Sequence, residues 1–99
     1  MLQINPAVID FMVAKNGQDY NFRKAAEECA ELTTVLLQLT NKKIDGAPEQ
    51  QELIDEIGDV IIRLEILKRM VPEDLLQARL DKKLAKYEGY ISENTYSKF

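Results

Sequence analysis

The chain has 99 residues, 13 basic and 17 acidic, for a net charge of −4, with no histidine and a single cysteine, Cys29. That length suits one domain and leaves much surface to cover by self-association, while the acidic balance argues against a partner made of nucleic-acid polymer. The absence of histidine excludes a Ser-His triad and His-ligated zinc, one cysteine fits a reducing compartment, and no apolar run reaches the ~18–20 residues of a membrane span, so a soluble cytoplasmic protein is expected.

Asn5-Pro6 reads as a helix start with proline at the first helical position, and Asn16-Gly17 as its stop, which predicts a short helix over residues 6–15. Asn21 is then a candidate N-cap for a second helix running to about residue 41. At ~100° per residue, Phe22, Ala25, Cys29, Leu32, Leu36 and Leu39 share one apolar face of that helix. Cys29 therefore reads as a small core residue. Residues 41–47 form a polar connection of ordinary length for an antiparallel helix pair.

Pro48 opens the next helix, expected to run to about residue 70, with Leu53, Ile57, Val60, Leu64 and Leu67 on one face. Ile62 and Ile66 lie on another side, which a second subunit would cover. Gly58 costs about 1 kcal/mol relative to alanine inside a helix, and its place between two acids suggests either a close helix approach or a glycine that is simply tolerated. Pro72 starts a last helix, rich in Leu75, Leu76, Leu80, Leu84 and Tyr87, that ends at Gly89. Tyr87 and Tyr90 either stack on a base or pack at an interface. The fold class expected is all-α: three main helices and a short N-terminal one, completed by oligomerisation.

The residues that carry chemistry are acids. Glu27, Glu28 and Glu31 sit on the second helix and Glu56 and Asp59 on the third. Side chains three or four apart on a helix are neighbours, so Glu28–Glu31 and Glu56–Asp59 form two pairs that converge if the helices pack antiparallel. Carboxylates crowded this way repel unless cations lie between them, and hard oxygen ligands suit Mg²⁺, with Mn²⁺ a substitute. Glu52 and Asp55 read as solvated acids. Arg63 either pairs with Asp59 or Glu56 or reaches a phosphate. Lys24 reads as a partner for the neighbouring acids or a contact for substrate. Lys83 and Lys86, on the last helix with Arg79 and Lys82, read either as a solvated face or as point charges for phosphates. A di-iron bundle typically needs Glu-x-x-His motifs, which this chain lacks.

Glu27-Glu28-x-x-Glu31 followed by Glu56-x-x-Asp59 resembles the EExxE…ExxD signature of the all-α nucleoside triphosphate pyrophosphohydrolases, the MazG-like superfamily. The similarity spans about residues 20–70. It implies Mg²⁺-dependent cleavage between the α and β phosphates of a (deoxy)nucleoside triphosphate, giving a monophosphate and pyrophosphate. It also implies homodimers or homotetramers in which helices of neighbouring subunits complete the bundle. Glu28, Glu31, Glu56 and Asp59 would then be metal ligands, and Glu27 a further ligand or the group that orients the attacking water. The phosphoribosyl-ATP branch shows a Tyr-His pair after ExxD, where this chain has Val60-Ile61-Ile62-Arg63. The competing expectation is a non-catalytic dimeric bundle with a structural or regulatory role.

Overall fold

In the computed structural model, which describes residues 1–40 and 46–99, the chain is carried by four helices: α1 (Pro6–Lys15), α2 (Gln18–Leu39), α3 (Ala47–Lys68) and α4 (Glu73–Ser92). A single 3₁₀ turn, Tyr96–Lys98, follows, and no strand occurs among the described residues. The all-α expectation is therefore met. No described helix is long and apolar enough to cross a membrane. The chain divides into two units, Met1–Arg69 and Met70–Phe99.

In the first unit, the Asn5 side chain accepts the Ala7 N–H at 3.0 Å and Pro6 fills the first helical turn, so α1 starts and stops where its punctuation predicts. Only Asn16 and Gly17 separate it from α2. Gly17 takes the cap position, so α2 begins at Gln18, three residues before the position read as its cap. Asn21 lies instead inside the first turn, buried, with its amide donating to the Asn16 carbonyl at 3.4 Å. The polar connection expected at residues 41–47 falls mostly outside the described residues.

α2 and α3 pack on each other along their length. Their electrostatic neighbours run in opposite order, Lys24 beside Arg63 and Glu28 beside Asp59, which makes the pair antiparallel. The face that α2 turns inward holds Asn21, Ala25 and Val35 buried, with Glu28, Leu32 and Leu39 half-buried between them. This is a rotated version of the expected face. Ala25, Leu32 and Leu39 belong to both, whereas Phe22, Cys29 and Leu36 are exposed. Cys29 is thus not a core residue of this chain. The cause is that α2 is apolar on two sides, and periodicity alone finds their average rather than the side that meets α3.

α3 is similar. Val60 is buried and Leu53, Glu56, Arg63 and Leu67 are half-buried along the inward stripe, while Ile57 and Leu64 are exposed. α1 packs against α3, and the most deeply buried aliphatic side chains are Ile9 on α1 and Ile66 on α3, each 1% exposed. Ile66 is therefore covered within the chain and not by a second subunit, although Ile62 beside it stays exposed. Arg69 Nε donates to Asp10 Oδ1 at 3.1 Å and ties the end of α3 to α1.

The close approach expected at Gly58 is absent, since a Cβ placed there meets nothing within 4 Å. Gly58→Ala should accordingly stabilise the protein by about 0.5–1 kcal/mol, the helix-propensity difference alone. Urea denaturation would measure it as a higher midpoint, and a destabilised variant would restore the close-packing explanation.

In the second unit, α4 passes through Gly89, the expected end, and continues to Ser92. It ends in a Schellman motif. Asn94 adopts the left-handed conformation (φ 57°), Thr95 N–H donates to the Tyr90 carbonyl at 2.8 Å and Asn94 N–H to that of Ile91 at 3.2 Å. The reversal folds Phe99 onto Tyr87 and Tyr90, with ring centroids 5.6 and 6.0 Å away.

Candidate metal centre

Glu28 and Glu31 project from successive turns of α2, and Glu56 and Asp59 from successive turns of α3. The antiparallel packing brings one oxygen from each to within 4.8 Å of every other. Glu28 and Glu56 are half-buried and Glu31 and Asp59 exposed, so the group opens to solvent on one side. Both inner acids carry an enclosed oxygen, Oε2, with no hydrogen-bond partner among the described residues. Enclosed acceptors are normally satisfied, because leaving one bare costs on the order of 1–3 kcal/mol.

Charge tells the same story. Burial holds the Glu28 carboxyl above its usual range. The charges of Glu31 and Asp59 raise it further, against a smaller pull downward from Arg63. Burial likewise raises Glu56, helped by Asp59, Glu28, Asp55 and Glu52. Each inner acid therefore holds its proton to higher pH than a free carboxyl does.

The residues present fit a hard divalent cation. Ligands on opposite sides of an octahedral Mg²⁺ stand about 4.2 Å apart, and around Ca²⁺ nearer 5 Å. Four oxygens confined within 4.8 Å thus have the span to close on one such ion with small side-chain movements. The donors are all carboxylates, with no imidazole in the chain and the Cys29 thiol outside the group, so soft metals have no preferred ligand here.

The other residues singled out in the sequence divide. Glu27 does not join the four; its carboxylate is 58% exposed and pairs with Lys24 Nζ at 3.2 Å. That contact raises the Lys24 ammonium, through the hydrogen bond first and the charge second. Arg63 borders the group from α3, half-buried, with Nη1 enclosed and without a hydrogen-bond partner among the described residues. Glu52 and Asp55 are exposed as expected, Asp55 accepting from Gln51 at 2.7 Å. Lys83 and Lys86 belong to the second unit, where they stand over the Tyr87 and Tyr90 rings at 5.2 and 6.0 Å. Asn21 was missed as an inward-facing polar residue, and its Oδ1 too is enclosed without a partner. Its signal was the spacing to Ala25 and Glu28, masked by its reading as a cap.

No family model matches the chain, and no curated protein or solved structure matches it either.

Proposed function

We propose that this protein is a Mg²⁺-dependent nucleoside triphosphate pyrophosphohydrolase, cleaving between the α and β phosphates to release a monophosphate and pyrophosphate. The observation that carries the reading is the convergence of four carboxylates with two enclosed, unpartnered oxygens. The EExxE…ExxD order of the acids, which resembles the MazG-like signature, supplies the reaction.

In this reading Glu28, Glu31, Glu56 and Asp59 hold the cation, or two of them in a pair. When bound, Mg²⁺ or Mn²⁺ supplies neutralisation of the triphosphate and activation of water. The water oxygen forms a bond to the α-phosphorus as the bond from that phosphorus to the bridging oxygen breaks. Pyrophosphate leaves with the electron pair, and the proton released by water passes to a nearby carboxylate or to solvent. Arg63, half-buried beside the acids, would hold a phosphate oxygen with its planar fork or pair with Asp59 or Glu56. A water-orienting role for Glu27 requires its ion pair with Lys24 to open.

Product analysis by ³¹P NMR with ribo- and deoxyribonucleoside triphosphates and Mg²⁺ tests the reading. Monophosphate plus pyrophosphate is expected. Diphosphate plus orthophosphate would assign a different bond, and no turnover across the panel would favour a non-catalytic bundle.

A further inference from the structure

The net charge of −4 does not extend to the second unit. Residues 70–99 hold five basic and five acidic side chains, so the whole excess of acid lies in residues 1–69. Within the second unit the two signs are also segregated. Arg79, Lys82, Lys83 and Lys86 fall within about 80° of Tyr90 around α4, taking ~100° per residue. Glu73, Asp74, Asp81 and Glu88 fall about 100° or more away on the same construction. Glu93, at the C-cap, is the acid left on the basic side.

The basic side is also the aromatic side. Lys83 Nζ stands 5.2 Å from the Tyr87 ring centroid, and those of Lys86 and Lys98 stand 6.0 and 5.8 Å from that of Tyr90. None of the three joins an ion pair among the described residues. Tyr96 and Phe99, in the segment that folds back, keep 54% and 59% of their surface open. Tyr87 and Phe99 line an apolar hollow of about 260 Å³. Pockets for whole drug-sized ligands begin at ~300 Å³, so this hollow takes one flat ring and leaves the rest of its ligand on the surface.

We propose that this face of the second unit binds single-stranded nucleic acid, with one base in the Tyr87–Phe99 hollow and the phosphates along the basic strip. The proposal is independent of what the acidic group binds.

Charge, repetition and access select that occupant. Arg79, Lys82, Lys83, Lys86 and Lys98 against the single Glu93 favour a polyanion. Cations that track a backbone beside rings that stack on bases are the parts by which single strands are held. The strip from Arg79 to Tyr90 is roughly 16 Å long at 1.5 Å per residue, and Tyr90 and Tyr96 carry further rings beside the hollow. One nucleotide has a single base to offer, whereas a strand repeats both base and phosphate. Access excludes the duplex, because paired and stacked bases present no free ring face to the hollow.

Fluorescence anisotropy of a labelled uridine decamer reads the result directly. A chelator is included, so that the acidic group of α2 and α3 carries no cation. A dissociation constant of about 1–100 μM is expected near physiological salt, the range of sequence-independent binding. On logarithmic axes the affinity should fall with salt at a slope of about −3, at ~0.7 for each phosphate neutralised. Lys83→Gln combined with Lys86→Gln should make that slope shallower by about 1.4. Phe99→Ala should weaken binding about 5- to 150-fold at an unchanged slope, the loss of one stacked base, and Phe99→Tyr should restore it. Helical circular dichroism should be the same in all of these variants, because the altered side chains lie at the surface.

No binding at about 50 mM salt, where phosphate contacts are strong, would overturn the proposal and leave the strip a solvated face. Phe99→Ala binding as tightly as wild type would overturn it by removing the base from the hollow. Uridine triphosphate that displaces the decamer equally well, phosphate for phosphate, would assign the face to a single nucleotide instead. Equal displacement by inorganic polyphosphate would assign it to phosphate alone.

Discussion

Glu56→Gln is expected to abolish turnover and to erase the thermal stabilisation by Mg²⁺ or Mn²⁺, while making the metal-free protein more stable than the wild type at neutral pH. The first half follows from ligand count. One of four carboxylates that lie within 4.8 Å of each other is lost, and the amide that replaces it is a neutral, weaker donor. A saturating cation at about a hundredfold excess over its dissociation constant stabilises the folded state by ~2.7 kcal/mol, and the variant should lose most of that shift. Glu27→Gln is the internal control. Glu27 stands outside the group and pairs with Lys24, so its variant should keep the metal-dependent shift.

The second half follows from proton linkage. Glu56 and Glu28 both hold their protons to higher pH in the folded chain than in the unfolded one. The folded state then binds more protons, and stability falls as pH rises through the raised values. Without metal, wild-type stability should increase on acidification from neutrality, and this gain should be complete below the unfolded carboxylate value of about 4.3. Glu56→Gln should flatten that slope because one of its two sources is gone. Thermal melts with a chelator between pH 4 and 7.5 measure it. A wild-type melting temperature that falls steadily with acid, or a variant less stable than wild type at pH 7, would mean that the acids are not in mutual repulsion.

Ile66→Ala is expected to cost about 2–5 kcal/mol, the range for emptying a closed aliphatic site. Whole domains of this size are held by only about 5–15 kcal/mol, so the loss is a large fraction of the total. Ile66 and Ile9 are each 1% exposed, and with α1 packed against α3 there is little room for the site to collapse. Ile66→Val should cost only about 0.5–1.5 kcal/mol. Urea denaturation should show a lower midpoint with unchanged slope. A cost below about 1 kcal/mol for the alanine variant would mean that α1 does not seal the site.

What the sequence made legible was local. Asn5-Pro6 and Asn16-Gly17 bounded α1 correctly because capping and proline geometry depend on adjacent residues alone. The acid pairs converged as expected because i, i+3 spacing and an antiparallel partner leave little choice. The rotation of each helix about its axis was not legible. α2 and α3 have two apolar sides each, and choosing between them needs knowledge of which neighbours exist. For the same reason Cys29 and Ile66 exchanged their expected places, one exposed and the other buried. The choice at Gly58 between close approach and a tolerated glycine was not legible either, because a glycine costs the same in a helix whether or not anything lies near it; the structure selects the tolerated glycine. The return of Phe99 to Tyr87 hinged on one left-handed Asn94, whose tolerance for positive φ is a permission rather than a signal.

The aromatic fold-back has a spectroscopic consequence. The chain contains no tryptophan, so ultraviolet emission comes chiefly from its four tyrosines. Three of these, Tyr87, Tyr90 and Tyr96, lie in the second unit, two of them with lysine ammonium groups over the ring, while Tyr20 alone lies in the first. Tyrosine emission is thus a native reporter weighted to the C-terminal unit, whereas helical circular dichroism is carried by α1, α2 and α3 of the first unit as well as by α4. Followed together in one denaturant series, the two signals give the cooperativity between the units without any added label on the fold itself.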